Sequence, residues 1–377
     1  MRKTHLYLLS LALLCSFTVF SQQTIKDTIT VNGVERTYLL YIPDMYDGSV
    51  DVPLLNVMHG RNGASDRMLD YADFRPIADT AGVILVYPQG LPDNLGRTHW
   101  NFNPSMDTTD DIGFLDSLIR HLLDNYSIDQ KRVYSTGFSQ GGFMSFFLVC
   151  NLGHRLAGIG SVGGAVIDTS NCYSGFPMPI IQIHGTSDDQ VGYDQYKVDN
   201  LVKICAAYNG CNPNPVESNL PDLNSTDNST VTKFVYEGGR NDAIVEHFRV
   251  NGGEHTWPGA NENSPSVNYD IDACQEIWRF LSKYNKDGFI AKASQSNAYI
   301  ENTIIYPNPS NGLFVIKSNH NLKSVSISDL QGKVVFKNTL SAPSGYYELN
   351  TSMLSPGVYV VQIESTQGTQ MLKIQIR

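Results

Sequence analysis

An α/β fold with a mostly parallel sheet, followed by a small all-β sandwich domain, is what the sequence predicts. Three observations carry that expectation. From Thr37 onward, short β-like runs alternate with segments of helical period, the pattern of a sheet with helices packed on it. Several of the β-like runs are continuously apolar, as in "GVILVYPQG" (Gly82 to Gly90), which suits strands buried on both faces. After residue 302 the helical period stops, and only short alternating runs separated by turn residues remain.

The elements follow in order. "RTYLLYIP" (Arg36 to Pro43) and "PLLNVMHG" (Pro53 to Gly60) read as strands closed by Pro or Gly. "DIGFLDSLIRHLLDNY" places Ile112, Leu115, Leu118, Ile119, Leu122 and Leu123 on one helical face. "RVYSTG" is strand-like and "GGFMSFFLVCNL" helix-like; "LAGIGSVGGAV" and "PMPIIQIHG" (Pro177 to Gly185) are two further strands. A helix around Tyr196 to Tyr208, a strand at Val231 to Tyr236 and a helix at Ala273 to Tyr284 complete the first domain, expected over residues 22–290. The small polar stretch "ASQSNAYIEN" reads as a linker over residues 291–302. Beyond it, "TIIYPNPSNGLFVIKS", "SVSISDLQGKVVFKN", "YYELN", "GVYVVQIES" and "TQMLKIQIR" are period-2 runs divided by "NPSNG", "DLQGK" and "LSPG", a β-sandwich over residues 303–377.

Bulk composition narrows the function. The 377 residues carry a formal net charge of −10, which argues against nucleic-acid binding, where Lys and Arg must neutralise phosphates. The first 21 residues have a basic start (Arg2, Lys3), an apolar run from Leu6 to Phe20 and a small Ser21. They read as a secretory signal peptide, the apolar run being short against the ~20 residues of a membrane span. Beyond the leader lie five cysteines, an odd number, so at least one thiol is unpaired within the chain. Cys150 ends a helix-like run and Cys172 sits in a loop before the next strand; pairing would tie that helix to that loop, with buried thiols as the alternative. The spacing leaves Cys205, Cys211 and Cys274 unassigned.

The chemistry concentrates in "YSTGFSQGGF" (Tyr134 to Phe143). Gly137-Phe138-Ser139-Gln140-Gly141 matches G-x-S-x-G, a sharp turn from strand to helix that exposes the serine Oγ at the end of the strand. The helix beginning there turns its free N–H groups and positive dipole end toward the reacting atoms. A serine hydroxyl needs a base, and folds with this turn place the partners in the order serine, acid, histidine. "IIQIHGTSDDQV" supplies Asp188, with Asp189 as competitor, and "VNGGEHTWPG" supplies His255. His184 precedes the acid, and His247 lies in a strand pattern and reads as structural. One oxyanion donor is expected from the Gln140 N–H. The second is expected from "NVMHGRNGASD", at Arg61 with Asn62 as alternative, while His59 reads as structural. Trp100 of "HWN" and Trp257 beside His255 are candidates for lining the substrate site, Trp100 with a core role as the alternative. "DTTDDIG" lacks the EF-hand spacing and reads as an acidic helix start. No motif calls for a metal or another cofactor.

With these residues in view, the segment from about Arg36 to Tyr284 resembles the secreted esterases of the polyhydroxybutyrate depolymerase and feruloyl esterase group, which are α/β-hydrolases. "MHGRNG", "VYPQG", "HWN", "DDIGFLDSLI", "GFSQGG", "IHGTSDDQV" and "GGEHTWPG" occur in that order. The resemblance implies Ser139 as nucleophile, Asp188 as acid, His255 as base and a Cys150–Cys172 disulfide. Arg61 departs from the small residue or cysteine usual after the first "HG". The C-terminal region, through "YPNPSNG", "ISDLQGKVV" and "LSPGVYVVQI", resembles a type IX secretion sorting domain, with a carbohydrate-binding sandwich as the alternative. Together these imply a secreted or surface-held serine esterase, exported through the periplasm by the type IX machinery. Its expected substrates are acetyl or feruloyl esters of plant polysaccharide, or else a hydroxybutyrate-type polyester. A peptidase on the same scaffold and a non-catalytic surface polymer-binding protein are the other readings.

Overall fold

A computed structural model describes residues 23–103, 108–166, 175–262, 264–290, 303–306, 308, 310, 312–329, 333–351, 353–365 and 368–376. The signal peptide, the linker and Cys172 lie outside the described residues. The chain divides into two compact units, residues 1–290 and 291–377.

The first unit is built on one ten-stranded sheet. A hairpin of β1 (Gln23–Val31) and β2 (Val34–Ile42) precedes β3 (Val52–Met58). Two short helices, α1 (Ser65–Tyr71) and α2 (Arg75–Ala81), lead to β4 (Ile84–Pro88). Then come α3 (Asp111–Asn125), β5 (Ile128–Phe138), α4 (Gln140–Leu152), β6 (Gly158–Val162) and β7 (Ile180–Gly185). The unit continues with α5 (Val198–Asn209), β8 (Val216–Asn219), β9 (Thr230–Tyr236), β10 (Val245–Asn251) and α6 (Ala273–Leu281), and ends in a small hairpin, β11 (Tyr284–Asn285) and β12 (Gly288–Phe289). The strand order is β1-β2-β4-β3-β5-β6-β7-β10-β9-β8. The six strands from β4 to β10 in this order run parallel, and antiparallel strands close both edges.

Burial explains the pattern. Every residue of β3, β4, β6 and β7 is buried, because helices cover both faces. Phe114, Leu118, Met144, Leu148 and Leu201 from α3, α4 and α5 pack on one face. Met68, Ile77, Ile277 and Phe280 from α1, α2 and α6 pack on the other. Asp110 caps α3 by accepting from the Gly113 N–H at 2.7 Å, and Asp272 caps α6 by accepting from the Cys274 and Gln275 N–H groups. Asp111 is fully buried and pairs with Arg36 at 2.6 Å, while Asp107 lies outside the described residues. Cys150 is disulfide-bonded; Cys205, Cys211 and Cys274 are free thiols.

The strand order also fixes where a site can form. β4 follows β3 toward one edge, whereas β5, β6 and β7 advance toward the other. The chain therefore leaves the C-terminal ends of the adjacent strands β3 and β5 in opposite directions and opens a crevice between them.

The second unit is antiparallel. It comprises β13 (Thr303–Tyr306), β14 (Leu313–Ser328), β15 (Val334–Asn350), β16 (Gly357–Ser365) and β17 (Gly368–Ile376). β14 pairs with β13, β15 and β16, and β16 pairs with β17. Alternate residues such as Phe314, Ile316, Val325, Ile327, Val361, Ile363, Ile374 and Ile376 form its core. Runs expected as separate strands join here: "LFVIKS" with "SVSIS" in β14, and "VVFKN" with "YYELN" in β15. Register shifts between Lys317 and Ser324 mark the junction in β14, where irregular pairing lets a long strand bend.

Candidate active site

Ser139 occupies the crevice. It stands between the end of β5 and the start of α4, at the helix N-cap position, with φ 53° and ψ −118°, a conformation few non-glycine residues adopt and one associated with functional strain. Its N–H donates to the Val162 carbonyl at 2.8 Å, and its own carbonyl accepts from the Gly142 and Phe143 N–H groups. The turn is this tight because Gly141 lets α4 press on β3: a Cβ there would lie 2.2 Å from the Met58 carbonyl oxygen. One at Gly137 would lie 2.5 Å from the Gly141 backbone. The spacing of glycines around the serine is thus a packing requirement of the strand-to-helix turn.

The loop after β3 approaches from the other side of the crevice. A Cβ at Gly60 would stand 3.1 Å from the Ser139 Cβ. His59 holds this loop from behind. Its Nδ1 lies 2.6 Å from the Gly60 carbonyl, and its Nε2 accepts from the Gly90 N–H at 3.0 Å. Only the neutral imidazole protonated at Nδ1 satisfies both contacts, and burial pushes its pKa down to about 4. The Asn62 N–H is committed to the Thr98 carbonyl at 2.7 Å. The Arg61 N–H has no hydrogen-bond partner among the described residues. Gln140 is the first residue of α4, where a backbone N–H lacks an intrahelical acceptor. Both residues line the same cleft as Ser139. The Arg61 side chain is half exposed at the mouth and pairs with Asp93 at 3.2 Å.

The loops after β7 and β10 bring in an acid and an imidazole. Asp188 Oδ2 lies 2.7 Å from His255 Nδ1. Its Oδ1 accepts from the Gln190 and Val191 N–H groups at 2.9 and 2.7 Å. Burial alone would push this carboxyl up. The hydrogen bonds from His184, His255 and the Val191 N–H, with the attraction of His255, hold it well below the usual carboxylate range. A carboxylate only accepts, so the proton of neutral His255 sits on Nδ1 and leaves Nε2 as a base. Phe138 packs against the imidazole, ring centroids 4.7 Å apart. Asp189 is exposed and accepts from its neighbour Gln190, so the geometry separates two aspartates that chain position alone leaves equivalent, in favour of the one the resemblance implies. His247 is fully buried beside Tyr193.

Ser139, Gln140, Arg61 and His255 line one cleft of about 1030 Å³. One stretch of its wall is aromatic: Phe102 stacks on Phe143 at 4.9 Å, and Tyr196 meets Phe143 edge-on at 5.3 Å. Polar groups including Asn62, Arg67, Asp70 and Glu262 also line it. The buried Arg36–Asp111 pair steadies the loop carrying Phe102, since Asp111 Oδ2 accepts from the Asn101 N–H at 2.7 Å.

The expectation that Trp100 and Trp257 line the substrate site is corrected here. Each is only 1% exposed, and neither reaches the cleft. Trp100 donates from Nε1 to the His59 carbonyl at 2.8 Å, so it buttresses the loop after β3 from inside. Trp257 packs edge-on against Phe74 in the core. Phe102, Phe138, Phe143 and Tyr196, which do line the cleft, went unrecognised in the sequence because they sit among residues with ordinary core spacing.

Two buried imidazoles make stability pH-dependent. Burial pushes both His59 and His247 down to about 4, whereas a histidine in the unfolded chain titrates near 6.5. Between these values the unfolded chain binds more protons, so stability is lost as pH falls from about 6.5 to about 4. The melting temperature should drop across that window, with a smaller slope in His247→Gln. A flat profile would contradict the neutral assignment.

The comparisons with known proteins agree with this architecture. Residues 98–236 match the phospholipase/carboxylesterase family, and residues 304–377 match the secretion system C-terminal sorting domain. The protein named "Probable feruloyl esterase C" of Aspergillus flavus is 31% identical over 196 residues, 49% of this chain and 68% of its own length. Feruloyl esterase D of Neurospora crassa is 28% identical over 68% of this chain and 85% of its own. The bifunctional acetylxylan esterase/xylanase XynS20E of Neocallimastix patriciarum is 26% identical over 77% of this chain, which spans 39% of that longer protein. Among solved structures, acetyl xylan esterase from Aspergillus awamori superposes with a TM-score of 0.51 at 14% identity, covering 70% of this chain and 99% of the other.

Proposed function

Because the chain belongs with the feruloyl esterases such as that of Aspergillus flavus, matches the phospholipase/carboxylesterase family over residues 98–236, and is a carboxylic-ester hydrolase, we propose that it cleaves hydroxycinnamoyl esters of plant polysaccharide through an acyl-enzyme on Ser139. Ser139 Oγ attacks the ester carbonyl while His255 Nε2 takes its proton. Asp188 holds the imidazole in the required tautomer and stabilises the imidazolium. The Gln140 and Arg61 N–H groups receive the oxyanion. The alcohol leaves with the proton from His255, and water, activated by the same base, releases the acid.

The observation that carries the acyl preference is the Phe102–Phe143–Tyr196 wall in the cleft shared by Ser139 and His255. A planar aromatic acyl group stacks there, whereas an acetyl group is too small to use it. The sorting-domain match supports export to the cell surface or medium by the type IX machinery, where a polymeric ester is accessible.

The test follows acid release from methyl ferulate, acetylated xylan and a polyhydroxybutyrate suspension. Methyl ferulate should be the best substrate. Phe102→Ala should lower kcat/KM on it by about 5–30-fold, with p-nitrophenyl acetate affected less than about 3-fold. Preference for acetylated xylan, unaffected by Phe102→Ala, would move the reading to an acetyl esterase. Clearing of the polyester alone would move it to a depolymerase.

A further inference from the structure

His184 lies on β7, four residues before Asp188, and it is 1% exposed. Its Nε2 is 2.8 Å from the Val191 carbonyl and 3.3 Å from Asp188 Oδ2. Both are acceptors, so Nε2 carries a proton. Its Nδ1 lies 3.1 Å from Gln182 Nε2. The orientation of that amide is fixed independently: Gln182 Nε2 is 2.8 Å from the Gly164 carbonyl, which only a donor can satisfy. The amide's second N–H is then directed to His184 Nδ1, which must accept. The imidazole is held in one tautomer, and its single Nε2–H, bonded to the Val191 carbonyl, is shared with Asp188 Oδ2 at the longer distance.

We propose that His184, oriented by Gln182, is a positioning residue for the reaction: a second imidazole that donates to Asp188 Oδ2 on the oxygen His255 uses. The inference rests on the triad reading above. Oδ1 is held by two backbone N–H groups, which locate the carboxylate but leave Oδ2 to the side chains. With only His255 on Oδ2, small rocking of the carboxylate about its anchored Oδ1 lets Oδ2 follow the imidazole. With His184 as a second donor from the buried side, Oδ2 is fixed before His255 bonds to it. His255 Nδ1–H then has one acceptor position, and Nε2 is aimed accordingly. The route is contiguous with the nucleophile turn, since Gly164, whose carbonyl orients Gln182, packs directly on the Gly142 backbone in α4. Val191, which also accepts from His184, lines the cleft.

The test is a double-mutant cycle on p-nitrophenyl acetate, with thermal melting of each variant. His184→Leu should lower kcat about 10–100-fold with KM changed less than about 2-fold. His184→Gln, which keeps an N–H donor near the Nε2 position, should recover most of that loss. In the Asp188→Asn background, His184→Leu should cost less than about 2-fold more, because a residue acting through Asp188 has nothing left to position. A full additional loss in that background, an unchanged kcat in His184→Leu, or no recovery in His184→Gln would overturn the proposal. Asp188→Asn at wild-type activity would overturn the triad reading and this one with it. If His184→Leu does not fold, nitrogen-15 NMR of the wild-type histidines decides: the neutral Nε2–H tautomer at His184 supports the assignment, and the Nδ1–H tautomer overturns it.

Discussion

Ser139→Ala should lose about 10⁴–10⁶-fold in kcat on every ester the wild type cleaves, with KM little changed. Residual hydrolysis should still exceed the uncatalysed rate, because the Gln140 and Arg61 N–H groups remain to receive the oxyanion from a water attack. The same position makes a second, opposite prediction for stability. Ser139 holds φ 53°, a conformation that strains any residue with a Cβ and leaves glycine relaxed. Ser139→Ala should therefore leave the melting temperature near that of the wild type. Ser139→Gly should be equally inactive yet more stable by about 1 kcal/mol. Strain retained at a position where glycine would relieve it is the mark of a side chain kept for its chemistry. Thermal melting and initial rates on methyl ferulate for the two variants check both halves. An active Ser139→Ala would remove the nucleophile assignment, and a destabilised Ser139→Gly would remove the strain argument.

What the sequence disclosed follows the range of the interactions involved. The serine turn was legible because its requirements are local: glycines where α4 meets β3 and β5, and a strand and a helix on either side. The order of Ser139, Asp188 and His255 was legible because each sits just beyond a strand of the parallel sheet. The choice of Asp188 over Asp189 came from the family resemblance and not from chain position, since both follow the same strand. In the structure it depends on two backbone N–H groups and a histidine from another loop converging on one of them. The two seven-residue helices α1 and α2 were missed because so short a run shows no helical period. β1 was missed because it is mostly exposed, so its residues show no buried face. The tryptophans were misplaced for a different reason. A large aromatic beside a catalytic motif can line the cleft or wedge the motif from inside, and only packing distinguishes the two. Trp100 wedges the loop after β3, and the residues that line the cleft include Phe143, which in a helix with apolar residues all round reads as core.

Asp188→Asn should cost about 10³–10⁴-fold in kcat, although the substitution removes only a charge and barely alters shape. The reason lies in how the four donors around the carboxylate are distributed. Oδ1 accepts from two backbone N–H groups that cannot move, so an asparagine must place its carbonyl oxygen there. Its NH₂ then occupies the Oδ2 position and faces His255 Nδ1 and His184 Nε2. A donor now meets a donor at His255. The contact is relieved if the imidazole moves its proton to Nε2 and accepts at Nδ1, which leaves the nitrogen meant for the Ser139 proton already protonated. Activity should therefore fall through the loss of the base rather than through substrate binding, with KM within about 2-fold of the wild type. Asp188→Glu should also be impaired, since the longer side chain cannot keep Oδ1 on the Gln190 and Val191 N–H groups while presenting Oδ2 to His255. Asp189→Asn, altering an exposed carboxylate, should stay within about 2-fold of the wild type. Rates for the three variants, with the His255 tautomer read by nitrogen-15 NMR in Asp188→Asn, test the account. An inactive Asp188→Asn in which His255 keeps its Nδ1 proton would mean that the lost charge, and not the tautomer, is responsible.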